Sequence, residues 1–171
     1  MSEYTNISHT FSPIYDDNSE ILILGSLPSV KSREEGFYYG HPRNRFWKVI
    51  AAICGCEEPA TIDAKKYMLI QNHIAVWDVI DSCDIKGSSD SSIKNVIPAD
   101  IKGLIEKTNI QKIYANGKTA EKLYRKYILP LTGMEVTGLP STSPANAAMT
   151  LDNLIQLWNN EIIMNGGFNM S

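Results

Sequence analysis

Residues 20–25 of this chain read Glu-Ile-Leu-Ile-Leu-Gly, and this short run constrains the fold more than any other segment. A strand with one wet face alternates apolar and polar side chains, whereas four successive aliphatic residues demand cover on both faces. Such cover comes from helices lying above and below a mostly parallel sheet. At 171 residues the chain suits one domain, residues 1–171, with one well-buried core. Its 43% hydrophobic and 20% charged residues are ordinary globular values, which excludes disordered, collagen-like and coiled-coil classes.

The remaining pattern alternates strand and helix. Further strands are expected at residues 74–80 (IAVWDVI), at 111–115 (QKIYA) and near 134–138. Phe46, Val49, Ile50, Ile53 and Cys54 recur at helical spacing, in a helix expected to begin at Pro42 and to stop at Gly55. Thr61 is placed to cap a helix running to about Asn72, and Pro98 to start one carrying Ile101, Leu104 and Ile105. Ala120, Leu123, Tyr124 and Tyr127 share one helical face, and Thr150 precedes a last helix with Leu151, Leu154, Ile155 and Trp158 on its inner stripe. The fold class that follows is α/β: three layers, α/β/α, about a central, mostly parallel four-stranded sheet. Ligands of such sheets sit at the carboxyl ends of the strands, so the loops after residues 25, 80, 115 and 138 are where a site is sought.

Sixteen Lys and Arg against nineteen Asp and Glu give a net charge of -3, which argues against a strongly basic nucleic-acid coat. The distribution says more: acids gather near Asp16-Asp17, Glu57-Glu58 and from Asp78 to Asp84, bases at residues 31–48 and 112–126. No apolar run approaches the roughly 18 residues that span a bilayer. The start, MSEYTNISHTFSP, lacks the basic and apolar parts of a signal peptide, so a cytoplasmic location is expected. Cys54, Cys56 and Cys83 cannot all pair or fill a four-thiolate metal site, and are expected to be buried thiols.

Three segments carry candidate chemistry. In Gly25-Ser26-Leu27-Pro28-Ser29, Gly and Pro force a tight turn that aims backbone N–H groups into a cleft, although an ordinary strand-to-loop turn fits as well. Ser26 also admits a nucleophile reading with His41 as its base, but no G-x-S-x-G elbow surrounds it. The segment from Gly36 to Trp47 places Phe37, Tyr38 and Tyr39 before Gly40, and interleaves aromatics with Arg43, Arg45 and Lys48. Three such aromatics in a polar stretch fit a stacking platform for a planar ligand, and Asn44 falls on the polar side of the expected first helical turn. The loop from Leu139 to Ala147 holds Ser141, Thr142, Ser143, Pro144 and Ala145, a rigid, hydroxyl-rich segment suited to phosphates and a narrow groove. Asp78 either accepts a hydrogen bond from a ligand N–H or caps a turn, and Asn116-Gly117-Lys118 offers a phosphate contact at a helix start. His9 and His73 lack partner spacing and are expected at the surface or in packing. No zinc-protease, Walker or dinucleotide motif occurs.

In order along the chain, GSLPS, REEGFYYGHPRNRFW and STSPANA resemble the uracil-DNA glycosylase superfamily. HPRNRFWKVI is similar to the mismatch-specific uracil enzymes and LPSTS to the corresponding loop of thymine-DNA glycosylase, while the complete set looks most like the hypoxanthine-DNA (deoxyinosine) glycosylase branch. The resemblance spans about residues 20–158. It implies a monofunctional base-excision glycosylase, without lyase activity, that hydrolyses the N-glycosidic bond of a deaminated base flipped out of DNA, hypoxanthine above all. Alternatives are a mismatch-directed uracil enzyme, a non-catalytic DNA-binding relative, and the Ser26/His41 hydrolase.

Residue by residue, the resemblance makes Asn44 catalytic, by orienting water. It gives Gly25, Ser26, Leu27, Tyr39 and Asp78 to the base, with Tyr39 stacking on it. Ser29, His41, Arg43, Arg45, Lys118, Ser141, Thr142, Ser143, Pro144 and Ala145 go to DNA. Leu27 stands where mismatch-specific enzymes carry a water-positioning Asn, and Leu139 where standard uracil enzymes carry a His, which speaks against efficient uracil removal. Three Cys fall short of the four ligands of the iron–sulfur branches, so no cofactor or metal is expected. The expected partner is damaged DNA, the working unit a monomer, with no membrane association.

Overall fold

A computed structural model describes residues 3–164. The ends of the expected domain, residues 1–2 and 165–171, lie outside the described residues. Strands β1 (Tyr4–Ser8), β2 (Ile21–Gly25), β3 (Ile74–Asp78), β4 (Ile80–Lys86), β5 (Lys94–Pro98), β6 (Lys112–Asn116) and β7 (Val136–Leu139) are interspersed with seven α-helices. These are α1 (Val30–Glu35), α2 (Phe46–Cys54), α3 (Ile62–Gln71), α4 (Ile101–Glu106), α5 (Lys118–Tyr127), α6 (Leu129–Thr132) and α7 (Leu151–Asn159).

The expected sheet is present, all parallel, in the order β3-β2-β6-β7. All five residues of β2 are buried, as its apolar run requires. Ile21 and Ile23 join Ile74, Val76 and Tyr114 under Phe46, Leu69 and Trp158 of α2, α3 and α7. Leu22 and Leu24 face the other way, with Ala75, Ile113 and Ala115 against Leu104 and Tyr124 of α4 and α5. Each of these four β2 side chains contributes roughly 1.5–3 kcal/mol through burial. The sheet thus forms the middle of three layers. Its order reverses at β2, whose neighbours β3 and β6 are reached in opposite directions, and the carboxyl ends of β2 and β6 open a crevice there.

The structure corrects several expectations. The second strand ends at Asp78, not residue 80; the chain then leaves for a separate antiparallel sheet ordered β1-β4-β5. That sheet leaves a weak trace in the sequence. β1 buries only Ile7, and register shifts between β4 and β5 break the period of two. Pro98 closes β5, while Asp100 caps α4 by accepting the Gly103 N–H at 3.0 Å. A short helix, α1, follows the first loop, with the Ser29 hydroxyl accepting the Ser32 N–H at 3.1 Å. Helix α2 starts at Phe46 and not at Pro42, so Asn44 precedes it. Only Cys83 is a buried thiol; Cys54 is half-buried and Cys56 exposed. Among the described residues no helix is long and apolar enough to cross a membrane.

Candidate active site

The parallel register sets Gly25, the last residue of β2, opposite Asp78, the last of β3. A Cβ on Gly25 would stand 2.4 Å from Asp78 Oδ1 and 3.1 Å from Tyr39 Oη, so only glycine lets these groups close over the strand end. Asp78 is 3% exposed, and Oδ2 meets His9 Nε2 at 2.8 Å. His9 follows β1, its ring packed on Phe11 and Tyr38 at centroid distances of 4.5 and 5.8 Å. The expectation for His9 missed this partnership, because residues 69 apart in sequence meet only once the two sheets are joined. A buried carboxylate needs such a partner, since leaving it alone would cost several kcal/mol.

Tyr39 stacks on Phe46 with ring centroids 3.9 Å apart and planes 18° from parallel. Its φ of 55° lies in the left-handed region, costly for a residue with a side chain, and the stacked ring holds it there. Among the described residues the buried Tyr39 hydroxyl has no hydrogen-bond partner. Burial first, then the Asp78 carboxylate, push its pKa up against the opposing effect of the Asn116 amide, so it remains a proton donor. Phe37 and Tyr38 belong to the core: Phe37 stacks on Trp47, and the Tyr38 hydroxyl donates to Ser12 O at 2.9 Å.

Asn44 arrives from the turn before α2. Its Oδ1 accepts the Phe46 N–H at 2.9 Å and the Thr142 hydroxyl at 2.8 Å. Thr142 has 0% exposure, and its hydroxyl also accepts from Asn116 Nδ2 at 3.0 Å. That corrects its expected phosphate role: a buried, doubly engaged hydroxyl is not offered to DNA. Arg45 is corrected on similar grounds. Its guanidinium donates to the carbonyls of Thr142, Ser143 and Asn146 at 3.4, 2.9 and 3.1 Å, and also to that of Met149. Arg45 therefore clamps the loop after β7 from inside. Arg45→Ala should lower unfolding free energy by about 2–3 kcal/mol, since several carbonyls lose a charged donor together. Urea denaturation measures this, and Arg45→Lys should recover little, because an ammonium cannot reproduce the planar fork.

These parts surround one open cleft of about 1070 Å3 at the carboxyl ends of the parallel strands. Gly25, Ser26, Leu27, Ser29, Tyr39, Asn44 and Asp78 line it, together with Asn116, Lys118, Ser141, Thr142, Ser143 and Ala145. Gly117, at φ +97°, passes close enough to Ser141 that a Cβ would lie 3.1 Å from the serine Cβ. His41, Arg43, Arg45 and Pro144 do not line the cleft. His41 Nδ1 accepts the Arg43 N–H at 3.1 Å, and among the described residues no hydrogen bond joins His41 to Ser26. The nucleophile–base pair considered from sequence is not assembled. Ser29 reaches the rim with its hydroxyl engaged in capping α1. Leu139 is buried and Leu27 packs on the core under the second sheet, so neither supplies a polar group.

The pattern of the Uracil DNA glycosylase superfamily matches residues 12–162. A protein of Methanosarcina acetivorans named Hypoxanthine DNA glycosylase is 37% identical over 142 residues, covering 82% of this chain and 89% of its own. Its namesake from Methanosarcina barkeri is 36% identical over 139 residues, covering 80% and 86%. The solution NMR structure of a candidate uracil DNA glycosylase from Methanosarcina acetivorans superposes with a TM-score of 0.75 at 35% identity, covering 87% of this chain and 92% of that one.

Proposed function

Because the chain belongs to the uracil DNA glycosylase superfamily, we propose that it excises hypoxanthine from DNA by hydrolysing the N-glycosidic bond of a flipped-out deoxyinosine. The observation that carries this reading is the convergence of Asp78, Tyr39 and Asn44 on one cleft, in a chain similar to two proteins named for that substrate. Flipping costs a few kcal/mol, less for a base that pairs badly, and deamination leaves such a base.

In the cleft, Tyr39 supports the base with its ring already held flat by Phe46. The Asp78 carboxylate, anchored at Oδ2, keeps Oδ1 beside the Gly25 turn to accept N1–H of hypoxanthine. Adenine has no proton at N1 and would set lone pair against lone pair. Backbone groups of Gly25, Ser26 and Leu27 complete the base contacts. Asn44 places water against C1′; the water oxygen bonds to C1′ as the C1′–N9 bond breaks, its electron pair leaves with the base, and the water's proton passes to solvent. An amide is too weak a base to take that proton, so Asn44 acts by position and polarisation. Leu139 leaves the cleft without the donor that standard uracil enzymes supply from that position, and Leu27 without a second water-positioning amide.

Lys118, exposed at the rim and first in α5, is the leading phosphate contact, joined by Arg43, His41, Ser29 and the loop residues Ser141, Ser143, Pro144 and Ala145. Lys118→Ala should weaken binding across all DNA sequences and reduce the slope of log K against log salt by about 1. In this reading the chain works as a monomer in the cytoplasm on DNA. The direct test is single-turnover incubation with duplexes carrying hypoxanthine, xanthine or uracil, followed by alkaline cleavage at abasic sites. The hypoxanthine strand should be cut, and a serine-directed inhibitor should not prevent it. Binding without abasic product would instead identify a non-catalytic relative.

A further inference from the structure

The side-chain amides beside the cleft form a chain with a definite direction. The Thr142 N–H donates to Asn116 Oδ1 at 3.0 Å, which turns the other end of that amide, Nδ2, toward the Thr142 hydroxyl oxygen, also at 3.0 Å. A hydroxyl has a single proton. With a donor already aimed at its oxygen, that proton goes to the acceptor within reach, Asn44 Oδ1 at 2.8 Å. The Phe46 N–H reaches the same oxygen at 2.9 Å, so both lone pairs of Asn44 Oδ1 are taken. Asn44 Nδ2, by contrast, makes no hydrogen bond among the described residues, and Asn44 lines the cleft.

We infer that Thr142 is a positioning residue for catalysis: oriented by Asn116, its hydroxyl locks the Asn44 amide with the NH2 group toward the substrate. The inference rests on the reading of Asn44 as the residue that holds the water. Locked this way, Asn44 grips the water through one oxygen lone pair and leaves the other free to approach C1′. With only the Phe46 N–H left to hold Oδ1, the amide would spend part of its time with the carbonyl forward, gripping the water by a proton and turning its lone pairs at random. Asn116 ends β6, paired with Leu139 at the end of β7, and Thr142 lies three residues beyond that strand, in the loop whose carbonyls Arg45 holds. The lock is therefore tied to the sheet through Asn116 and held in its loop by the Arg45 clamp.

The experiment uses the full chain and a duplex oligonucleotide with one deoxyinosine, reading the single-turnover rate at saturating enzyme, the Kd for DNA and the thermal transition. Thr142→Val should slow the rate about tenfold or more, the worth of one of the two hydrogen bonds that orient the amide, with Kd changed less than about threefold. Thr142→Ser, which keeps the hydroxyl, should restore the rate to within about threefold. Asn116→Asp tests the direction itself, and serves if Thr142→Val does not fold. The new carboxylate would accept the Thr142 proton, leave the hydroxyl oxygen facing Asn44 Oδ1, and turn the amide over; the rate should again fall about tenfold or more. A wild-type rate in Thr142→Val or Asn116→Asp overturns the inference, as does a Thr142→Ser variant no better than Thr142→Val. Loss of DNA affinity with an unchanged rate overturns it too, and returns Thr142 to the phosphates. Asn44→Ala in parallel separates the two levels. If it keeps a wild-type rate, the reading of Asn44 fails; if it is inactive while Thr142→Val and Asn116→Asp keep full rates, only the lock fails.

Discussion

Asn44→Ala leaves a protein that binds deoxyinosine-containing DNA and scarcely cuts it. The expected loss in single-turnover rate is on the order of 10²–10³-fold, the usual effect of removing one preorganised polar group from a site of charge development. Affinity for DNA should stay within a few-fold, because Asn44 is half-buried and carries no charge to set against the phosphates. Stability should fall by about 1–3 kcal/mol, since the Phe46 N–H and the buried Thr142 hydroxyl share the acceptor that is lost. The combination of retained binding, retained fold and lost cleavage is the signature sought, measured by fluorescence anisotropy, urea denaturation and alkaline cleavage of the same preparation. Cleavage at the wild-type rate would remove Asn44 from the reaction.

Asp78→Asn changes one atom type in the floor of the cleft and should cost hypoxanthine removal on the order of 10²-fold or more. His9 Nε2 lies 2.8 Å from Oδ2. With Nε2 carrying its proton, the substituted amide keeps its oxygen on His9 and turns its NH2 toward the base. A donor then faces the N1–H donor of hypoxanthine. A buried polar clash of this kind is worth far more than a lost methyl group. The variant should also lose discrimination against adenine, whose N1 accepts where hypoxanthine's donates, so affinity for normal and damaged duplexes should converge. Competition binding between matched adenine and deoxyinosine duplexes measures this. Undiminished preference for deoxyinosine would assign base reading to the Gly25–Leu27 backbone alone.

The parallel sheet was legible because its signal is local: Ile21 to Leu24 can be read without knowing any partner. The antiparallel sheet was not, since Ile7 and Cys83 acquire meaning only when β1 and β4 lie side by side. The site divides along the same line. Gly25, Tyr39 and Asn44 stand in motifs whose order along the chain pointed to a family, Asp78 stands outside them at the end of the second strand, and all four line the cleft. Arg45 and Thr142 stand in those motifs too, yet a basic residue among aromatics and a threonine among serines look equally suited to phosphates. Only their carbonyl and amide partners, about a hundred positions away, separate scaffolding from contact. His9 carried no signal at all, being a lone histidine whose carboxylate partner lies in another sheet.

The separation between Asn44 and Thr142, 98 positions, and between Arg45 and Met149, 104 positions, has a consequence for a chain emerging from the ribosome. By the time α2 has been made, Tyr39 and Asn44 already exist, but Thr142 and the loop that Arg45 clamps do not. A nascent or truncated fragment could meet DNA without being able to open an abasic site in it. Competence arrives late and all at once, when the loop that follows the last strand of the parallel sheet closes on the groups made first.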